Sequence, residues 1–262
     1  MEFEEFRIMY EAEDRHWWYR GLRGVMFSLL GLKDPRSTSW RILDAGCGTG
    51  GNLEALRSAG FAHSEGFDVN PPALHFCGMR GLTNVQLGSI MEIPYQADSF
   101  DAVISCDVLN DAGTSNEAGA LVELYRVLKP GGRLFLNLPA FSFLRGEHDR
   151  ATSVARRYTK PEIKGKLRKA GFRVRRVTYW NMFLLPVVMA VRLVRRDGED
   201  DRDRPARSDI VVPPEPLNAL LTGVVGLERL LLRFVDFPAG SSVAAVAVKP
   251  RGERAREHGV GP

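Results

Sequence analysis

The 262-residue chain is 44% hydrophobic and 26% charged, the balance of a folded domain with a substantial core. No apolar run is long enough for a bilayer span, acids scattered through the N-terminal stretch argue against a secretory signal, and Cys47, Cys77 and Cys106 lack metal-ligand spacing. A cytoplasmic protein with free thiols is expected. Charge is uneven: residues 1–155 hold 14 Lys+Arg against 20 Asp+Glu, net −6, and residues 156–262 hold 22 against 12, net +10. The basic half admits nucleic acid, a membrane surface or an acidic substrate as partner. Arginines interleaved with apolar residues at helical spacing favour solvated helix faces instead.

Residues 2–30 read as helix, with Phe3, Phe6, Met9 and Tyr10 on one side, then the cluster His16-Trp17-Trp18-Tyr19, then Leu22, Val25, Met26, Leu29 and Leu30. Asp34–Ser39 is turn-rich. From there strands and helices alternate: strand 40–44, helix 52–58, strand 64–69, a helix opened by Asn70-Pro71, strand 85–88, strand 100–105, helix 117–128, a Lys129-Pro130-Gly131-Gly132 turn and strand 133–138. Such alternation predicts right-handed crossovers and a doubly wound, mostly parallel α/β sheet. Thr159-Lys160-Pro161-Glu162 reads as a capping box opening a helix that ends at Gly171, followed by strand 172–179 and a seventh strand at 241–248. Between the last two strands lie an apolar helix (182–194), a charged loop (195–209) and an amphipathic helix (217–234). Residues 1–250 thus form one expected domain: an N-terminal helical cap (1–35), a core (40–140) and a helical insertion (180–240). Residues 251–262 are expected to be a flexible tail.

The chemistry centres on Leu43-Asp44-Ala45-Gly46-Cys47-Gly48-Thr49-Gly50-Gly51-Asn52, which closes the first strand and opens a helix. Glycines there let the backbone turn tightly and approach a ligand. Gly46, Gly48 and Gly51 also satisfy the dinucleotide pattern, so a nicotinamide or flavin site, or a purely structural turn, competes at this point. Asp44, two residues before the first glycine, would repel a pyrophosphate and suits a ligand carrying an ammonium. Asp68, at the end of the second strand, can accept both hydroxyls of a ribose. Arg126-Val127-Leu128-Lys129-Pro130-Gly131-Gly132 stands between a helix and the fifth strand.

Together these motifs resemble the class I S-adenosylmethionine-dependent methyltransferases, over about residues 40–140. The resemblance implies a Rossmann-like seven-stranded sheet and S-adenosyl-L-methionine as cofactor. It passes the Gly46-Cys47-Gly48-Thr49-Gly50 loop beneath the methionine part and puts the ribose on Asp68, beside Val69. Gly88-Ser89-Ile90 would frame the adenine, although an acid often stands where this chain has Ser89. Asp107 would lie beside the transferred methyl. The family segment often carries a histidine just after, where this chain has Asn110-Asp111. The segments around His16–Arg20 and 146–159 resemble a bacterial subgroup of these enzymes.

On the acceptor side, His148 is the first candidate base, since it follows the fifth strand, with Asp149 as its orienting partner and Tyr158 as the second candidate. One of Trp17 and Trp18 is expected over the adenosine and the other in the core. Trp180, Phe183, Leu184 and Met189, with Trp17 or Trp18, would roof an apolar acceptor pocket over the ends of strands four and five. The expected function is O-, N- or C-methylation of a small molecule, with sugars, polyketides and isoprenoids among the candidate types and an apolar acceptor as one option, with no metal. Rivals are a cyclase or regulatory protein on the same fold, and a nucleic-acid methyltransferase. The latter finds no Asn-Pro-Pro-aromatic motif at the right strand and no RNA-binding module. No nucleic-acid partner is expected, and membrane contact through Arg192, Arg195 and Arg196 is a lesser alternative.

Overall fold

The computed structural model describes residues 3–111, 113–146, 149, 154–196 and 210–251, with backbone only at 191–196. Seven strands form one sheet in the order β3-β2-β1-β4-β5-β7-β6. They are β1 (Ile42–Ala45), β2 (Ser64–Asp68), β3 (Val85–Leu87), β4 (Phe100–Cys106), β5 (Leu128–Pro139), β6 (Arg173–Trp180) and β7 (Ser242–Val248). The first five pair in parallel, and β7 runs antiparallel between β5 and β6. This is the doubly wound, mostly parallel sheet that the strand and helix alternation predicts. Every residue of β1 is buried, as expected for a central strand covered on both faces.

The helices are α1 (Phe3–Ala12), α2 (Trp17–Leu30), α3 (Gly51–Ser58), α4 (Pro71–Met79), α5 (Glu117–Val127), α6 (Lys160–Lys169), α7 (Leu185–Arg196) and α8 (Glu215–Leu231). The single N-terminal helix expected from the apolar spacing is two. The chain breaks after Ala12, and His16 caps the second helix, its Nδ1 accepting from the Trp18 N–H at 3.2 Å. The break turns Glu13 inward, where it is 5% exposed.

Three local expectations shift. Lys129–Gly132 is a bulge inside β5 rather than a turn before it, since Phe100 pairs with Leu128 and Ala102 with Arg133. Thr159 precedes α6 without a side-chain cap, and Glu162 pairs instead with Arg156. Asn70 also makes no cap; its amide donates to Asp68 Oδ1 at 2.9 Å. In each case a tertiary partner outcompetes the local one.

The insertion packs against the N-terminal cap. On α8, Asn218 accepts from the Trp17 N–H at 3.0 Å and donates to the Arg15 carbonyl at 2.9 Å. Gly21 makes the close approach of α2 and α8 possible, since a Cβ there would lie 2.5 Å from Val225 Cγ1. Glu228, fully buried on α8, accepts from the backbone N–H groups of Asn181 and Phe183, tying the insertion to the end of β6. Burial raises the Glu228 carboxyl above its ordinary range.

Candidate cofactor and acceptor site

A cavity of about 630 Å³ opens beyond the C-terminal ends of β1, β2 and β4, at the switch point between β1 and β4. Of the residues singled out in the sequence, Trp17, Gly46, Cys47, Gly48, Asp68, Val69, Ser89, Ile90 and Asp107 line it. Asp44, Gly50 and Tyr158 do not. His148 lies outside the described residues.

The glycine loop is shaped by both backbone and neighbours. Gly46, Gly48 and Gly50 have φ of +82°, +53° and +85°. At Gly50 the constraint is packing rather than a ligand: a Cβ would stand 2.5 Å from Leu82 Cδ1. Asp68 holds the loop directly, its Oδ2 accepting from the Gly48 N–H at 2.9 Å and its Oδ1 from the Asn70 N–H at 2.9 Å. A carboxylate oxygen has room for a second donor, so Asp68 can still meet a hydroxyl from the cavity. Ser89 Oγ accepts from the Met91 N–H at 3.1 Å, which leaves its own O–H to donate.

Asp44 lies beneath the floor, fully buried, with neither oxygen in a well-formed hydrogen bond. Burial pushes its carboxyl up to about 8, opposed by the nearby Asn52 side chain and reinforced by the charges of Glu13 and Asp68. Asn52 lines the cavity that Asp44 was expected to face, and Asp44 does not.

Sequence reasoning missed Glu13. Its carboxylate accepts from Thr49 Oγ1 at 2.7 Å and lies 2.0 Å from where a Gly51 Cβ would stand. It therefore covers the N-terminus of α3. Arg80 pairs with it at 3.3 Å, yet burial still raises its carboxyl above the ordinary range. Nothing in a run of scattered acids marks this one out. A pyrophosphate would need the α3 N-terminus that Glu13 occupies, beside the Asp68 carboxylate. A ligand carrying ammonium and sulfonium charge fits the same acids, so the donor set suits S-adenosylmethionine and opposes a dinucleotide.

The acceptor end is built from distant segments. Asp107 follows β4 and takes a hydrogen bond from Asn137 Nδ2 at 3.0 Å. Burial raises its carboxyl to about 7, with Asn137 and the Arg157 charge acting in the opposite sense. Asp149 forms a buried ion pair with Arg157 at 2.8 Å, and Arg157 also donates to the Ala140 carbonyl at 2.9 Å; the histidine that Asp149 was expected to orient, His148, lies outside the described residues. Tyr158 is fully buried and its O–H donates to the Leu109 carbonyl at 2.9 Å. Burial raises its pKa further from neutrality, so the second candidate base is a structural residue.

Trp17 and Trp18 both line the cavity, and Trp18 also packs on Trp180 with ring centroids 5.7 Å apart. The insertion does reach the Asp107 side, but through Asn181, Val187, Val188 and Ile210. The roof residues expected from the apolar run lie elsewhere: Trp180 is core, Leu184 is buried, and Phe183 packs against Phe237 with centroids 5.9 Å apart. Among the described residues there is no cluster able to hold a metal ion, and no helix long and apolar enough to cross a membrane.

Comparison with known proteins agrees with this geometry. Residues 43–136 match the family described as "Methyltransferase domain". The chain is similar to the sterol 24-C-methyltransferase ERG6A of Gibberella zeae, at 33% identity over 138 residues, covering 50% of this chain and 33% of that protein. It is also similar to the tRNA (carboxymethyluridine(34)-5-O)-methyltransferase of Arabidopsis thaliana, at 37% identity over 98 residues, 37% of this chain and 23% of that one. The matched part is thus a third or less of these relatives' length. Among solved structures, a chain of the Haloferax volcanii complex of the Trm112 methyltransferase activator with a methyltransferase superposes with a TM-score of 0.60 at 20% identity, covering 95% of this chain and 94% of that one. The glycine loop, the buried acids and the strand order agree with the matched family: residues 43–136 of this chain carry a methyltransferase domain, set in the Rossmann-like sheet of the S-adenosylmethionine-dependent methyltransferases.

Proposed function

We propose that this protein transfers the methyl group of S-adenosylmethionine to a small, largely apolar acceptor. The observation that carries this reading is the single cavity that runs from the glycine loop past Asp107 to the side chains of Trp18, Val187 and Val188. Its size is that of an ordinary small-molecule site. When bound, the cofactor supplies an activated methyl on a positively charged sulfur. The chain's own residues must hold an acceptor in line with it and keep water out. Asp68 and Ser89 orient the nucleoside, while Glu13 and Asp68, which line the cavity, favour the positive end. Trp17, Trp18 and the α7 valines cover the acceptor. Correct orientation alone lowers the barrier by about 7–11 kcal/mol.

A reducing, cytoplasmic setting suits the three free cysteines Cys47, Cys77 and Cys106. A cyclase or regulatory role would use the same cofactor pocket without methyl transfer. Methyl-labelled cofactor offered with sterol, polyketide, sugar and amine panels, and separately with bulk tRNA, tests the assignment. Label in a small molecule supports it. Label in tRNA alone overturns the small-molecule reading, and tight cofactor binding with no transfer to any acceptor favours the cyclase or regulatory role.

A further inference from the structure

Asp107 has φ +56°, a left-handed conformation that a non-glycine residue keeps only where its surroundings enforce it. Asn137 of β5 enforces it twice. Its carbonyl accepts from the Asp107 N–H at 2.9 Å, and its Nδ2 donates to Asp107 Oδ2 at 3.0 Å. The Asn137 amide is itself fixed, because its Oδ1 accepts from Trp180 Nε1 at 2.8 Å. An indole N–H can only donate, so the amide oxygen must face Trp180 and the amide nitrogen must face Asp107. Asn137 and Trp180 are both fully buried. No hydrogen bond among the described residues engages Asp107 Oδ1, and Asp107 lines the cavity. Next to it, Asn110 lines the cavity too, with a buried side-chain oxygen that no donor among the described residues meets.

We propose that Asp107 accepts the proton of the methyl acceptor, that Asn137 and Trp180 position it, and that the acceptor is an amine on an otherwise apolar molecule. The inference rests on the methyl-transfer reading above. A protonated amine entering the cavity meets a carboxylate held by the Asn137 amide and is favoured by its charge. It passes one proton to Asp107 Oδ1, which frees the nitrogen lone pair. The nitrogen then forms a bond to the methyl carbon as the methyl carbon–sulfur bond breaks, its electron pair staying on sulfur. The positive charge moves from sulfur to the methylated nitrogen. Asp107 returns its proton to solvent when product leaves.

The chemistry selects the acceptor class. Burial brings the Asp107 carboxyl to about 7, within a few powers of ten of an amine at roughly 10.4. An aliphatic hydroxyl, close to water at roughly 15.7, is out of reach. A phenol, at roughly 10, is within reach but brings no cation to the carboxylate. The titratable and charged groups facing Asp107 are Tyr19 from α2, Cys106 from β4 and Arg157 from the segment before α6. Arg157 is paired with Asp149, so it does not replace an incoming ammonium.

The full chain tests this in three steps. Calorimetry first asks whether S-adenosylhomocysteine binds; if it does not, the methyl-transfer reading falls and this inference falls with it. With S-adenosylhomocysteine bound, n-octylamine, n-octanol and 4-butylphenol are titrated by tryptophan fluorescence. The amine is expected to bind at least about tenfold more tightly than the other two, and Asp107→Asn should erase that preference. Equal affinity of amine and alcohol, or preference for the phenol, overturns the amine assignment while leaving cofactor binding intact. Carbon NMR of the Asp107 carboxyl should show a midpoint near neutrality in the wild-type protein; an ordinary acidic midpoint overturns the proton-accepting role. Trp180→Phe, which removes the indole donor, should move that midpoint to higher pH, and Trp180→His, which retains a ring N–H, should return it. A midpoint unmoved in Trp180→Phe overturns the positioning role.

Discussion

The floor and the far end of the cavity are assembled from different distances along the chain. Gly46, Gly48, Asp68, Ser89 and Ile90 leave β1, β2 and β3, which are neighbours in sequence and in the sheet. Trp17, Asp107, Arg157, Asn181, Val187 and Ile210 reach the same cavity from α2, β4, the segment before α6 and the insertion. Ligand-facing groups on the cofactor side are set by strand ends and a turn, so a short motif specifies them. Groups on the acceptor side are set by packing across long separations, and no short motif can. Charge follows the same division. The cofactor side carries the acids Asp68 and Glu13 beside a glycine loop, whereas the acceptor side pairs Asp149 with Arg157 and holds Asp107 by the Asn137 amide, with the Arg157 charge nearby.

The sharpest way to break this comparison is at Gly48. Gly48→Val should abolish S-adenosylmethionine binding by calorimetry, because a β-branched residue at φ +53° must distort the loop. A new Cβ would also lie 3.2 Å from Met9 Cε, but that flexible chain end can move. Binding restored in Met9→Ala combined with Gly48→Val would mean that α1 packing, and not the loop itself, sets the requirement.

Asp68→Ala should weaken cofactor binding by about 1.5–3 kcal/mol, the range for hydrogen bonds to a charged group. Part of that loss comes from the Gly48 and Asn70 N–H groups left without their acceptor. Asp68→Asn, which keeps one acceptor oxygen, should lose less. Equal losses in the two variants would show that the charge, not loop support, is what matters.

Asp44→Asn should separate stability from binding. The folded carboxyl, at about 8, lies above its unfolded value, so its stabilising contribution is present at acid pH and lost as pH rises towards 8. Glu13 and Asp107 are shifted in the same direction. The melting temperature of the cofactor-free protein should therefore fall between pH 5 and pH 8.5, and Asp44→Asn should flatten that fall, gaining on the order of 5 °C at the alkaline end. Cofactor affinity should stay close to wild type in the same variant, because Asp44 does not line the cavity. A variant that melts like wild type across this range would show that Asp44 is not the buried acid responsible.

Tyr158→Phe should have the smallest effect. Losing the bond to the Leu109 carbonyl costs about 1 kcal/mol of stability, read as a small drop in melting temperature. Turnover should stay close to wild type. A large fall in kcat with unchanged stability would return Tyr158 to the chemistry.

The legible residues and the hidden ones differ in kind. Most strand boundaries, though not the start of β5, were read to within two residues because a buried parallel strand is a continuous apolar run, as in β1 and β4. The glycine loop, Asp68 and Ile90 were legible because fixed spacing along one chain segment places them. Asp44 was found but does not line the cavity, since a spacing rule says which strand end a carboxylate occupies and not which way its side chain faces. Glu13 and Asn137 were invisible. Each matters only through a partner far along the chain, Thr49 for the first and Trp180 for the second.

By itself the sequence determined the α/β class, the order of elements, the glycine loop after β1 and the long insertion between β6 and β7. Those follow from local properties: apolar periodicity, backbone freedom at glycine and the spacing of acids along single segments. Only the tertiary structure decided which residues roof the cavity, that Tyr158 is committed to a backbone carbonyl, that Arg157 holds Asp149, and that Asp107 is clamped by Asn137 beneath Trp180. A buried polar group must find a partner wherever the fold supplies one, and that choice is made by packing between segments, which no local pattern encodes.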